Sequence, residues 1–235
     1  MARKTAIITG ATKGIGKAIA KKLLQEDYDI AICARNETDL NELKKVWNIE
    51  FPEREMFTLS VDLEKENDVV AFAEKVGEIY PNIDVLVNNA GVFLPGTVLE
   101  EAPTALRSQL QINVLSAHFL SQYFGKKMME ARQGNIVNIC SIASLGAYAG
   151  GSSYSISKYA MLGMSDNFRV ALQPFGVKVS AICPGPTKSA SWEGSGVDES
   201  KLIPAEDIAA LVWQCIAFPG VTSLDRIVVD SNAVI

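Results

Sequence analysis

Seven short runs rich in apolar and β-branched residues recur along this chain, separated by longer stretches of helical period. No other feature limits the fold so tightly. The runs are TAIITG (5–10), DIAICAR (29–35), MFTLSVD (56–62), DVLVNNAG (84–91), GNIVNICS (134–141), VKVSAICPG (177–185) and RIVVD (226–230). The helical stretches cover 13–27, 39–51, 67–80, 105–132, 154–176 and 204–218. Runs that are apolar nearly throughout are buried on both faces. Strand, helix, strand repeated therefore predicts a parallel sheet covered by helices on both sides. Right-handed crossovers then give an α/β fold, a doubly wound parallel sheet of about seven strands in three layers, αβα.

The 235 residues suit one unit, so 1–235 is expected to form a single domain. No repeat, charge block or low-complexity linker divides it. The glycine- and serine-rich stretch GPTKSASWEGSGVDESK (185–201) is long enough to be functional or mobile. A helical pattern and a last strand follow it, so it marks no boundary. Apolar residues at 48% and charged residues at 21% describe an ordinary globular protein. A net charge of −5 argues against a nucleic-acid partner, which needs a basic face. MARKTAIITG is too short an apolar start for a signal segment. No run approaches the roughly 20 apolar residues of a membrane span. The expected location is cytoplasmic, away from any membrane. Cys33, Cys140, Cys183 and Cys215 are widely spaced with no C-x-x-C pair, and read as buried small hydrophobes in a reducing compartment.

The first run ends in TGATKGIG, with Gly10, Gly14 and Gly16 where a strand gives way to a helix. That context makes a glycine triplet informative. Gly10 allows a tight turn, Gly14 lets backbone approach a pyrophosphate, and Gly16 lets helix and strand pack closely. The helix start offers free N–H groups and partial positive charge to a dinucleotide. An acid about 20 residues on usually holds the ribose 2′-hydroxyl. Here that slot is Ala34, followed by Arg35, and Lys13 lies in the first turn. Two cations and no acid in the slot suit a 2′-phosphate, so NADP(H) is expected over NAD(H). Glu37 nearby counters this reading. Asp62, after the third strand, can accept from the adenine amino group.

The fourth run ends NNAG (88–91), where small residues let a cofactor lie against the backbone and Asn89 can bond cofactor or strand. The fifth ends at Ser141, and YSISK (154–158) opens the next helix 13 residues later. Ligands in such sheets bind beyond the carboxyl ends of the strands, which puts Ser141 and Tyr154 on the side of the glycine turn. Helical spacing places Lys158 one turn from Tyr154 on the same face. A neighbouring ammonium favours a phenolate, and a tyrosine so placed can act as general acid or base. Ser141 can stabilise charge on a substrate oxygen. Beside a nicotinamide, this set can move a hydride to or from a carbonyl carbon.

TGATKGIG, NNAG, Asn113, Ser141, YSISK and PGPT (184–187) occur in the order and spacing of the short-chain dehydrogenase/reductase family, which the chain resembles over essentially its whole length. The resemblance implies a Rossmann fold. It implies that Tyr154 is the catalytic acid/base and that Lys158 binds the nicotinamide ribose and favours the phenolate. Ser141 then orients the carbonyl, and Asn113 holds a proton-relay water. It extends the cofactor set to Gly10, Thr12, Lys13, Gly14, Ile15, Gly16, Arg35, Asp62, Leu63, Asn89, Ala90, Gly91, Pro184, Gly185 and Thr187, beside Tyr154 and Lys158. Pro184, Gly185 and Thr187 correspond to the segment against the nicotinamide, and 188–201 to a substrate lid. Relatives commonly form homodimers or homotetramers through two long helices, here 105–132 and 154–176. The front half is similar to 3-oxoacyl-acyl-carrier-protein reductases, which usually carry an aspartate and two glycines after the last strand. This chain ends RIVVDSNAVI, without them, and its stretch PGVTSLDRIVVDS (219–231) is more similar to the branch that oxidises serine and 3-hydroxy acids or reduces small carbonyls.

The expected function is NADP(H)-dependent interconversion of a carbonyl and a secondary alcohol. A 3-oxoacyl thioester is one substrate reading, and a small 3-hydroxy acid or general carbonyl is the alternative. A non-catalytic NADP(H)-sensing protein is the remote third, disfavoured because all four catalytic positions are filled. His118, the only histidine, lacks partners for metal or catalysis, and no metal is expected. Trp192 in the lid either covers substrate or anchors the loop. Phe93 and Leu94 either line the pocket or join the core.

Overall fold

The computed structural model describes residues 3–148, 150–189 and 196–232. Its strands are β1 (Lys4–Thr9), β2 (Tyr28–Ala34), β3 (Met56–Ser60), β4 (Val85–Asn88), β5 (Asn135–Ile139), β6 (Lys178–Pro184) and β7 (Arg226–Val229). They form one sheet in the order β3-β2-β1-β4-β5-β6-β7, parallel at every pairing. The helices are α1 (Gly14–Gln25), α2 (Glu37–Glu50), α3 (Glu66–Ile79), α4 (Ala105–Leu110), α5 (Ser116–Ala131), α6 (Ser152–Leu172) and α7 (Ala205–Ala217).

The continuous apolar runs have a direct cause in the layers. Consecutive strand residues face opposite sides, and both sides here are covered. Ile8 and Ile32 pack with Ile19, Leu23, Trp47, Ile208 and Val212 from α1, α2 and α7. Their neighbours Ile7 and Cys33 pack with Phe72, Val76, Leu120 and Phe124 from α3 and α5. On the same side, α6 sets Met161 and Leu162 against Ala181 and Cys183.

Strand order reverses between β1 and β4, and this opens a crevice at their carboxyl ends. The predicted runs overshoot the ladders there. Gly10, Asp62, Asn89, Ala90, Gly91 and Ser141 leave the sheet and line the crevice instead. The helix expected over 105–132 is also interrupted. Gln111–Leu115 forms a π-helical turn between α4 and α5. Within it the Ser116 N–H reaches back to the Gln111 carbonyl, one residue further than α-helical bonding allows. Among the described residues, no helix is long and apolar enough to cross a membrane.

Candidate active site

The turn after β1 depends on its glycines in different ways. Gly10 and Gly14 have φ of +67° and +52°, the left-handed region that favours glycine. Gly16 is needed for proximity: a Cβ there would lie 2.3 Å from the Gly10 carbonyl oxygen. Asn89 locks this turn to β4 by donating to the carbonyls of Thr9 (2.8 Å) and Gly10 (3.1 Å). Of the two partners expected for Asn89, it therefore takes strand backbone. Thr9 Oγ1 returns the tie, accepting from the N–H groups of Asn89 (3.1 Å) and Ala90 (3.0 Å).

The start of α1 fits an anion. Its N-cap residue, Lys13, makes no side-chain capping bond, and its first turn carries no acid. The contrast with α2 is informative, because Asn36 Oδ1 there accepts from Thr38 N–H (2.9 Å) and Asp39 N–H (3.2 Å). The first N–H groups of a helix need partners, and those of α1 face the crevice. Lys13 and Arg35 both line this end. Glu37 does not line it, and the acid that meets Lys13 is Asp39. Asp39 Oδ2 lies 3.6 Å from Lys13 Nζ.

At the other end, β5 delivers Ser141 and α6 delivers Tyr154 and Lys158. Ser141 Oγ accepts from the Ala143 N–H (3.1 Å), and Ser144 Oγ accepts from the Ser141 N–H (3.2 Å). Ser155 Oγ–H bonds the Ala143 carbonyl (2.9 Å), so α6 braces the loop that carries Ser141. Lys158 is buried. Its Nζ donates to the Ile139 carbonyl at 2.9 Å and lies 5.7 Å from the centroid of the Tyr154 ring. The Tyr154 ring meets Phe93 edge to face, with centroids 5.2 Å apart.

Asn113 stands in the π turn, fully buried. Its Oδ1 accepts from the Val92 N–H (2.8 Å), and its Nδ2 donates to the Val92 carbonyl (3.0 Å) and to Ser157 Oγ (2.9 Å). A Cβ added at Gly91 would sit 3.3 Å from Asn113 Oδ1 and 3.6 Å from Lys158 Nζ. A side chain at position 91 would crowd Asn113, so the site suits glycine.

One crevice of about 880 Å³ joins the two ends, near the top of the range for small-molecule sites. Every cofactor residue expected from the sequence, from Gly10 through Thr187, lines it, as do Ser141, Tyr154 and Lys158. Asn113 stands behind this wall. Trp192 lies outside the described residues, as does the lid segment 190–195. The ends of that lid are tied down by the Lys188 N–H to Ile203 carbonyl bond (2.9 Å) and by the Lys188–Glu199 pair (2.6 Å). Phe93 is part of the crevice wall, whereas Leu94 is not.

Sequence reasoning missed Asp39 and Tyr148 in the lining. It also missed Glu101, which accepts from Ser153 Oγ (2.5 Å) and from the Ser153 N–H (3.2 Å), next to Tyr154. No local pattern marks these residues, because each acts on a distant segment.

The pattern of the short chain dehydrogenase family matches residues 4–199. The chain is 33% identical over 192 residues to a diacetyl reductase [(S)-acetoin forming] of Staphylococcus epidermidis, covering 81% of this chain and 74% of the relative. It is 31% identical over 182 residues to the ketoacyl reductase HetN of a Nostoc species, covering 77% and 63%. A metagenomic short-chain oxidoreductase, solved in complex with NADP, superposes with a TM-score of 0.84 at 28% identity, covering 98% of this chain and 97% of that one. Glycine turn, crevice and polar cluster stand where the matched pattern runs, and the chain belongs to the short-chain dehydrogenase family of oxidoreductases.

Proposed function

We propose that the protein is an NADP(H)-dependent oxidoreductase that interconverts a carbonyl and a secondary alcohol. The observation that carries this reading is the joint placement of Ser141, Tyr154 and Lys158 at one end of a crevice whose other end holds an uncapped helix start and two cations. The free N–H groups of α1 would hold the pyrophosphate, and Lys13 and Arg35 the 2′-phosphate. Lys158 and the 184–187 segment would hold the nicotinamide end. When bound, the cofactor supplies or accepts the hydride. The solved relative that binds NADP supports the same choice.

The chain's own groups handle the oxygen. Ser141 Oγ already accepts from Ala143, so its hydrogen is free to donate to a carbonyl oxygen. Tyr154 Oη gives that oxygen its proton during reduction and takes it back during oxidation. Lys158 Nζ donates to the Ile139 carbonyl (2.9 Å) and, more weakly, to Met161 Sδ (3.8 Å), and its remaining hydrogen would face the tyrosine side and a ribose hydroxyl. Both amide hydrogens of Asn113 are occupied. A relay water beside Lys158 would therefore meet an acceptor of Asn113, not a donor.

A 3-oxoacyl thioester and a small carbonyl remain the two substrate readings. Similarity to a ketoacyl reductase favours the first, and similarity to a diacetyl reductase the second. The stretch PGVTSLDRIVVDS (219–231) also favours the second. We place the protein in the cytoplasm as a homodimer or homotetramer that packs through α5 and α6.

The test is NADPH oxidation with an acetoacetyl thioester and with 2,3-butanedione. Tyr154→Phe is expected to lower kcat by at least about a hundredfold while NADPH still quenches protein fluorescence with wild-type affinity. Full activity in Tyr154→Phe would overturn the proton-transfer role. Preference for NADH would overturn the reading of Lys13 and Arg35.

A further inference from the structure

The charged residues of the crevice are not spread evenly along it. Lys13, Arg35, Asp39 and Asp62 line it; Lys13, Arg35 and Asp62 sit on the turns after β1, β2 and β3, and Asp39 in the first turn of α2. At the opposite end, beside the polar Ser141 and Tyr154, the lining includes Phe93, Ile142, Ala143, Ala147 and Tyr148. Among the described lining residues, Lys158 is the one charge there, and its ammonium is buried and bonded to the Ile139 carbonyl. Lys188, further along the chain, is engaged by Glu199 at 2.6 Å and does not line the crevice. The stretch ASWEGS (190–195) contains no lysine, arginine or histidine.

The aromatic part of this wall is built. Phe93 packs edge to face on Tyr154 at 5.2 Å and against Tyr148 at 6.1 Å. Its ring fills the space a side chain at position 151 would need, since a Cβ on Gly151 would lie 2.4 Å from Phe93 Cε2. The segment carrying Phe93 is stitched to the start of α6 by the Gly96 N–H to Gly150 carbonyl bond (3.0 Å) and the Ser152 N–H to Gly96 carbonyl bond (3.2 Å). Phe93 and Tyr148 nonetheless stay 39% and 49% exposed, open to a ligand.

We infer that the substrate is an uncharged carbonyl compound whose apolar, flat or alkyl substituent rests on Phe93 and Tyr148. The inference depends on the reductase reading above and narrows it. A carboxylate entering this end would leave water without a counter-ion, a cost that an apolar wall does not repay. A neutral ester or thioester meets no such cost. A small free 3-hydroxy or 3-oxo acid is thereby excluded as the preferred substrate, whereas ketones, diketones and acyl esters remain.

The closing experiment uses two compounds that share one reacting ketone and differ in charge, ethyl acetoacetate and acetoacetate. Steady-state reduction by NADPH is expected to favour the ester by about a hundredfold in kcat/KM. Phe93→Arg, which places a cation on the wall, should cut that ratio by at least about tenfold. Phe93→Leu should keep the ester preference while lowering kcat/KM for ethyl benzoylacetate more than for ethyl acetoacetate. Equal rates for ester and acid, or preference for the acid, would overturn the inference and leave the reductase reading intact. Reduction of no carbonyl in the set, with NADPH still bound, would overturn the reductase reading itself.

Discussion

Lys13 shows how much one neighbour changes the meaning of a charge. In the sequence it is a cation near a glycine turn. In the fold it lies 3.6 Å from Asp39, at the end of the crevice where a 2′-phosphate would sit. Asp39 therefore competes with that phosphate for Lys13 and repels it through space. Asp39→Asn is expected to lower the KM for NADPH by up to about fivefold, the range of a partly exposed ion pair. The KM for NADH should change little. The gain should shrink in 1 M salt, where screening acts within about 3 Å. A raised KM for NADPH would show instead that Asp39 positions Lys13. The cation at position 13 was legible from the glycine motif. Its acidic partner was not, because 26 residues of helix and strand separate them and only the packing of α2 beside α1 closes the gap.

The helix α6 lacks a cap of its own. Its N-cap is Gly151, with no side chain to accept from the first turn. Glu101, 52 residues earlier, fills that role with its bonds to Ser153. A carboxylate at a helix start meets both free N–H groups and the positive end of the dipole. Tyr154 is the next residue, so this contact holds the proposed acid in place. Glu101→Gln is expected to lower kcat by about threefold to tenfold and to cost about 1–2 kcal/mol of stability. KM for NADPH should stay unchanged, as read by steady-state kinetics beside urea unfolding. A loss of stability with unaltered kcat would reduce Glu101 to a plain cap. The long helix expected over 105–132 shows a related effect. Its apolar period was visible, but the π turn at Gln111–Leu115 was not. That turn goes with bonds from Asn113 to Val92, 21 residues away.

Across the whole molecule, all four cysteines are free and buried among the described residues. Burial pushes the Cys33 thiol up to about 12, and burial raises Cys215 as well. Cys140, donating its S–H to Cys183, is held well above its usual range by that bond and by burial, whereas accepting the same bond lowers Cys183. A raised value means less thiolate at a given pH, about one molecule in ten thousand for Cys33 at pH 8. Because all four are buried, Ellman's reagent at pH 8 is expected to find no fast-reacting thiol in the folded protein and four after denaturation. A rapidly labelled native cysteine would contradict this burial.

The alternation of apolar runs with helical stretches was enough to specify a parallel, doubly wound sheet, because period and continuity are local properties of a chain. The same holds for the glycine turn, for Ser141 at a strand end, and for Tyr154 and Lys158 one helical turn apart. Tertiary structure alone decided which groups meet across long separations. It set Asp39 on Lys13, Glu101 under α6, Asn113 against Val92, and Phe93 on Tyr154. Hydrogen bonds and ring contacts act within a few ångströms, so such pairings exist only once the sheet order has brought distant segments together.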